Sequence, residues 1–240
     1  MKDKIRRLFR NMNPAMVIIV VILLADNFLN GHASLGEWIY DKVMILPGII
    51  IGLTFHEAAH GYASHLLGDP TPKYQGRLTL NPFKHIDPIG FLCLMFAGFG
   101  WGVPVQIDPR YYKHRRRDEF IVNIAGVTTN FIIAVIFSFI VKWISSSLSY
   151  GAHYNLVVLL MNICIYIVAI NIVLMIFNLL PVPPLDGFGI VTQIFNLQQY
   201  EWWWTIYKNG SFILMIMIIF DITSKIIDPI YEFFLNLLLF

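Results

Sequence analysis

The amino-acid sequence predicts an all-α polytopic membrane protein, with about five or six transmembrane helices. Three observations carry that prediction. Of the 240 residues, 57% are hydrophobic and 13% charged, whereas ordinary soluble domains carry roughly 25% charged residues. Several apolar stretches reach the roughly 18–20 residues that a helix needs to cross bilayer hydrocarbon. The Lys and Arg residues cluster in two segments that can share one side of a membrane. A net charge of +2 gives no electrostatic footprint for nucleic acid. Cys93 and Cys164 both lie in apolar runs and form neither a disulfide framework nor a cysteine-rich metal site.

The elements follow in order. A basic N-terminus precedes an apolar run from Ala15 to Leu24, extendable to Leu29, and no small-residue cleavage site follows, so it reads as a retained anchor. The second span runs from Val43 to Leu67 and is interrupted by polar residues near its end. Ile89 to Val105 contains Gly90, Gly98, Gly100, Gly102 and Pro104, a composition poor for a lipid-exposed helix, and is expected to re-enter rather than cross. Further spans run from Phe120 to Ile144 and from Leu156 to Leu180. The tail from Ser211 to Phe240, broken near Asp228-Pro229, reads as one span plus an interfacial helix. The whole chain, 1–240, is expected to be one domain.

Orientation follows from the basic residues, which accumulate on the cytoplasmic side. Residues 1–13 carry five and residues 69–117 carry eight, while 31–42 carry only Lys42 and 145–155 carry none. The N-terminus and the 69–117 loop are therefore expected to be cytoplasmic in a multi-pass cell-membrane protein. Lys113 with Arg115, Arg116 and Arg117 reads as an anchor to anionic lipid, and Trp202, Trp203, Trp204 and Tyr207 as an interfacial aromatic belt.

Inside the second span lies His56-Glu57-Ala58-Ala59-His60. Residues at i and i+4 share a helix face, so both imidazoles can reach one ion, and zinc accepts such a pair together with a third protein ligand and a water. Glu57 lies about 100° around the helix from His56, within reach of that water as a general base. Chance occurrence in a buried helix is the competing reading, but ionisable residues at membrane depth are costly and are a functional-site hypothesis by default. His65 points away from the shared face. The most eligible third ligand is Asp186, in Asn178-Leu-Leu-Pro-Val-Pro-Pro-Leu-Asp-Gly187, where three prolines break the helix and the freed backbone must line protein or water. A helix cap after a proline turn is the alternative role for Asp186.

These residues resemble the site-2 protease family of intramembrane zinc metalloproteases (peptidase M50), in particular its short bacterial members without an appended regulatory domain. His56 to His60 matches the family's zinc motif, and Leu185-Asp186-Gly187 matches its second motif. Leu78 to Gly90 is similar to the loop after the zinc helix. Ala125-Gly126-Val-Thr-Thr-Asn130 resembles an Ala-Gly-Pro-x-x-Asn segment, with Val127 where proline is usual. The resemblance implies one zinc ion per chain held by His56, His60 and Asp186, Glu57 as the catalytic base, and Asn130 and Asn178 as substrate or transition-state contacts. It also implies a three-helix core around the zinc, at about 43–187 with peripheral helices in 1–42 and 188–240, and a transmembrane protein or peptide as substrate within the lipid bilayer. An extended substrate needs new backbone partners, and the Lys73–Leu80 segment is expected to offer a short strand edge for it, an ordinary loop being the alternative. Two other functions compete: a membrane metal-ion transporter or channel, and a catalytically silent binding protein of the same fold. Concentration of the ionisable groups at one point argues against the first, and a complete set of ligands and base against the second.

Overall fold

The computed structural model describes residues 35–97, 100–146 and 154–240, so the expected first span lies outside the described residues. The helices are α1 (Leu35–Leu66), α2 (Thr71–Tyr74), α3 (Pro88–Ala97), α4 (Arg115–Ser146), α5 (Tyr154–Leu179), α6 (Asp186–Phe195), α7 (Glu201–Ile219) and α8 (Ile222–Leu239). Among the described residues, α1, α4 and α5 are long and apolar enough to cross a membrane, and α7 with α8 forms a pair bent by 73° that adds a fourth if counted as one span. The protein is therefore an all-α membrane protein. At 1.5 Å per residue the 32 residues of α1 extend about 48 Å, longer than the roughly 30 Å of bilayer hydrocarbon. The helix begins eight residues before Val43, because the polar turns of residues 35–42 stay helical outside any apolar run.

α1, α4 and α5 pack pairwise against one another, and α6 rests on α4. Val127 and Ala134 of α4, Val168, Ile172, Met175 and Ile176 of α5, and Ile190 of α6 form the main buried cluster. Ile49 and Leu53 of α1 meet Leu174 of α5 in a second cluster, onto which α3 lays Phe91, Leu94 and Met95. The opposite side of α4 exposes Ile132, Ile136, Phe139 and Trp143, spaced three or four residues apart along one stripe. Such a stripe faces lipid, since without a bilayer it would exceed what a soluble surface tolerates.

α3 leaves the bundle and the chain returns to its start, where Gly102 bridges Ile86 in antiparallel fashion and Val103 N–H donates to His85 O at 2.7 Å. Gly90 and Gly100 line the two limbs, and a Cβ on Gly90 would lie 2.0 Å from Trp101 O, so only glycine permits this approach. The loop beyond α1 is tied by Asp69, fully buried, which accepts from Ser64 Oγ (2.7 Å), Thr71 N–H (2.8 Å) and Asp108 N–H (2.8 Å). Burial opposes the charge on Asp69, but these hydrogen bonds hold its carboxyl below the usual carboxylate range. Tyr112 OH lies 2.7 Å from Ser64 Oγ, and burial pushes this phenol up to about 12. It therefore keeps its proton and donates, giving a Tyr112 to Ser64 to Asp69 relay of hydrogen bonds.

Three expectations need correction. Lys73–Leu80 is not a strand: Pro70-Thr71-Pro72 starts the short α2, whose first turn accepts proline, and Gly76 turns the chain at φ +65. The bridge at Ile86 and Gly102 is the β contact among the described residues. The tail breaks at Asp221, φ +53, and not at Asp228-Pro229. Pro229 costs one helical hydrogen bond, yet α8 continues because Ile227, Tyr231, Phe234, Leu235 and Leu238 pack one face onto the α4–α5 core. Trp203 is not an exposed belt residue. It is 6% exposed, stacks on Phe188 and Tyr207, and donates from Nε1 to Thr192 Oγ1 at 2.9 Å, while Trp202, Trp204 and Tyr207 stay exposed.

Candidate metal centre

α1 presents His56 and His60 one turn apart, and α4 fixes their ring nitrogens with support from α5. Asn130 of α4 is fully buried; its Nδ2 donates to Gly52 O (3.2 Å) and to Asn171 Oδ1 of α5 (2.9 Å). A carbonyl oxygen can only accept, so the nitrogen of Asn130 faces Gly52 and its oxygen faces His56. Asn130 Oδ1 therefore accepts from His56 Nδ1–H at 2.7 Å, which leaves the lone pair on His56 Nε2. The same reasoning applies to His60, whose Nδ1 lies 2.7 Å from Val122 O and must carry the proton. Both Nε2 atoms thus point their lone pairs away from these anchors.

Those lone pairs meet a carboxylate. Asp186 opens α6 directly after the proline break, with Leu185 extended before it. Its position requires Gly187, where a Cβ would come within 2.2 Å of Leu179 O at the end of α5. Asp186 Oδ2 then sits 3.2 Å from His56 Nε2 and 3.3 Å from His60 Nε2, and the two Nε2 atoms are 3.1 Å apart. Asp186 Oδ2 is buried without a hydrogen-bond partner. Three electron-pair donors that face one another repel unless a cation lies among them. Ligands bound tetrahedrally at about 2.0–2.1 Å lie roughly 3.3 Å apart, so the observed edges of 3.1–3.3 Å fit a zinc ion that these three donors would hold.

Glu57 lies beside this triangle and is held from the α3 hairpin: Val105 N–H donates to its Oε2 at 3.0 Å. The extended segment after Gly102 thereby forms the wall next to the carboxylate. Gly126 of α4 packs directly against the two imidazoles, since a Cβ there would lie 2.5 Å from His60 Nε2 and 2.7 Å from His56 Nε2.

The structure thus brings His56, His60 and Asp186 together with Glu57 alongside. For the two asparagines it shows contacts within the chain. Both amide hydrogens of Asn130 and its oxygen are engaged in orienting His56 and joining three helices. Asn178 Nδ2 donates to Leu174 O within its own helix at 3.0 Å. Asn171 and Val105 were not singled out from the sequence, and Gly126 only as part of the Ala125–Asn130 segment. Asn171 carried a legible signal, a polar amide in an apolar span; Val105 acts through a backbone N–H, which no residue type announces. His65 points to the loop, with Nδ1 3.2 Å from Asp69 O.

The chain is 38% identical over 165 residues to a Bacillus subtilis protein named "Putative zinc metalloprotease YwhC", covering 66% of this chain and 74% of that one. It is 24% identical over 199 residues to a protein named "Putative zinc metalloprotease Rip2" from Mycolicibacterium smegmatis, covering 80% of this chain and 73% of the relative. The Mycobacterium tuberculosis protein of the same name is 26% identical over 153 residues, 61% of this chain and 55% of its own length. No family model matches the chain, and no solved structure matches it.

Proposed function

The chain belongs to the zinc metalloprotease family of its Bacillus subtilis relative, and from that premise we propose that it is an intramembrane endopeptidase of the site-2 type, cutting a peptide bond in or near a transmembrane segment of another membrane protein. The observation that carries this reading is the triangle of His56 Nε2, His60 Nε2 and Asp186 Oδ2, two of its corners and the adjoining Glu57 being on a helix long and apolar enough to cross a membrane. His56, His60 and Asp186 would hold one zinc ion. When bound there, zinc supplies Lewis acidity, polarising water and the scissile carbonyl.

The chain's own residues supply the rest. Asn130 and the Val122 carbonyl keep the two imidazoles in the tautomer that leaves Nε2 free to ligate. Glu57 accepts the proton of the attacking water and passes it to the leaving amine. Its Oε2 is pinned by Val105 N–H, so the carboxylate keeps one fixed orientation and the second oxygen serves the proton. An unwound substrate must find backbone partners at this depth, and the segment from Gly102 to Gln106 borders Glu57 where one would lie. We assign the 69–117 loop and the N-terminus to the cytoplasmic face, so that water reaches the site from that side.

Zinc content of the purified chain tests the reading. About one zinc in the wild type, lost in Asp186→Ala, supports one shared centre; zinc unaffected by that change removes Asp186 from the site. Glu57→Gln is expected to retain zinc and to abolish cleavage of a transmembrane substrate, and wild-type turnover by that variant refutes Glu57 as the base.

A further inference from the structure

Away from the metal centre, an open cavity of about 620 Å³ lies at the N-terminal end of α4, lined by His114, Arg115, Arg116, Arg117, Phe120, Gln193 and Ile194. Its volume falls within the range of small-molecule sites, roughly 300–1,000 Å³. The two parts of its wall differ in chemistry. Arg115 and Arg117 form an exposed cationic rim, with side chains 68% and 61% exposed. Phe120 and Ile194 form an apolar floor, continued by Phe195, which is 63% exposed.

The acidic partners do not cancel this rim. Arg115 Nε pairs with Glu119 Oε1 at 2.7 Å and Arg117 with Asp118 Oδ1 at 2.8 Å, and both carboxylates lie buried beneath the guanidinium groups. A guanidinium carries five N–H donors, of which these pairs use one or two, so the remainder face outward. Lys113 and Arg115 to Arg117 exceed Asp118 and Glu119 by two positive charges. Arg116, also on the cavity wall, donates to the carbonyls of Gln193 and Ile194 at the end of α6 and ties that helix end to α4.

The position of the cavity relative to the membrane then identifies its ligand. The first five residues of α4 are charged, and from Phe120 the helix is apolar along its crossing segment. The cavity therefore straddles the level at which polar headgroups give way to hydrocarbon. We propose that it binds one anionic phospholipid, its phosphate and headgroup charge against Arg115 and Arg117 and the first acyl segment against Phe120 and Ile194. A soluble phosphate would satisfy the rim but leave the apolar floor wet. The site rests on the membrane setting alone and stands apart from the protease reading, although Arg116 places it at the far end of the helix that begins with Asp186.

Native mass spectrometry of the delipidated full chain, titrated with phosphatidylglycerol or phosphatidylcholine, tests the proposal. One phosphatidylglycerol is expected to bind about 30-fold more tightly than phosphatidylcholine, from two arginines each contributing as a basic residue does at an anionic surface. The double variant Arg115→Gln, Arg117→Gln is expected to lose that preference while its amides still donate to the buried carboxylates. Ile194→Trp fills the floor without changing charge and is expected to weaken both lipids; it decides the matter if the double variant does not fold. Millimolar inorganic phosphate is expected not to displace the lipid. Equal binding of the two lipids by the wild type, an undiminished preference in the folded double variant, undiminished binding of both lipids by Ile194→Trp, or displacement by inorganic phosphate each overturns the proposal.

Discussion

Replacing Asn130 by alanine separates an orienting role from a substrate contact. The change removes the acceptor for His56 Nδ1–H at 2.7 Å, and also both donors, to Gly52 O and Asn171 Oδ1. His56 then gains freedom to rotate and to place its proton on Nε2, the atom that faces His60 and Asp186. Loss of such an outer partner typically lowers metal affinity by about 10–100-fold, equal to roughly 1.4–2.7 kcal/mol. Stability falls as well, since the groups left unpaired in the interior cost about 1–3 kcal/mol each. The assay is competition for zinc against a chelator of known affinity, run beside thermal unfolding of the zinc-free protein so that the two losses are read separately. Asn130→Asp serves as the second variant: its carboxylate still accepts from His56 Nδ1–H, and zinc affinity is expected to recover toward wild type. Zinc affinity of Asn130→Ala within about twofold of wild type, together with reduced cleavage, refutes the orienting role and restores Asn130 to substrate binding.

Two further predictions follow from named contacts. Gly126→Ala sets a methyl group 2.5–2.7 Å from the ligating nitrogens, so the rings or α4 must move; zinc measured by atomic absorption is expected to fall well below stoichiometric, and the overpacking to cost about 1–3 kcal/mol in thermal unfolding. A fully loaded variant shows that the histidines ligate on another face. Asp69 has a depressed carboxyl pKa in the folded chain, so its stabilisation is present above the unfolded value of about 3.9 and is lost as pH falls through the folded one. Amide hydrogen exchange at Thr71 and Asp108, corrected for intrinsic rates, is expected to accelerate as Asp69 protonates, and Asp69→Asn to show that fast exchange already at neutral pH. Equal exchange in the two proteins at neutral pH means that Asp69 does not hold the loop.

The amino-acid sequence by itself determined the all-α membrane class, the one-turn spacing of His56 and His60, and the broken helix at Asp186, because each is a local property of composition or of helical period. Local pattern misled where packing outweighed propensity. Pro229 sits inside α8 because five side chains on one face bind the core, and Lys73–Leu80 lost its strand because two prolines favour the first turn of a helix. Only the tertiary structure decided the surroundings of the site. His56 and Asn130 are 74 residues apart, Glu57 and Val105 are 48 apart, and Gly126 matters through the side chain it lacks. Each of these depends on the rotation of α4 and the return of the α3 hairpin, set by helix packing across the whole bundle. No window of sequence records that rotation, since the hydrophobic pattern specifies which face is buried but not which buried group meets which.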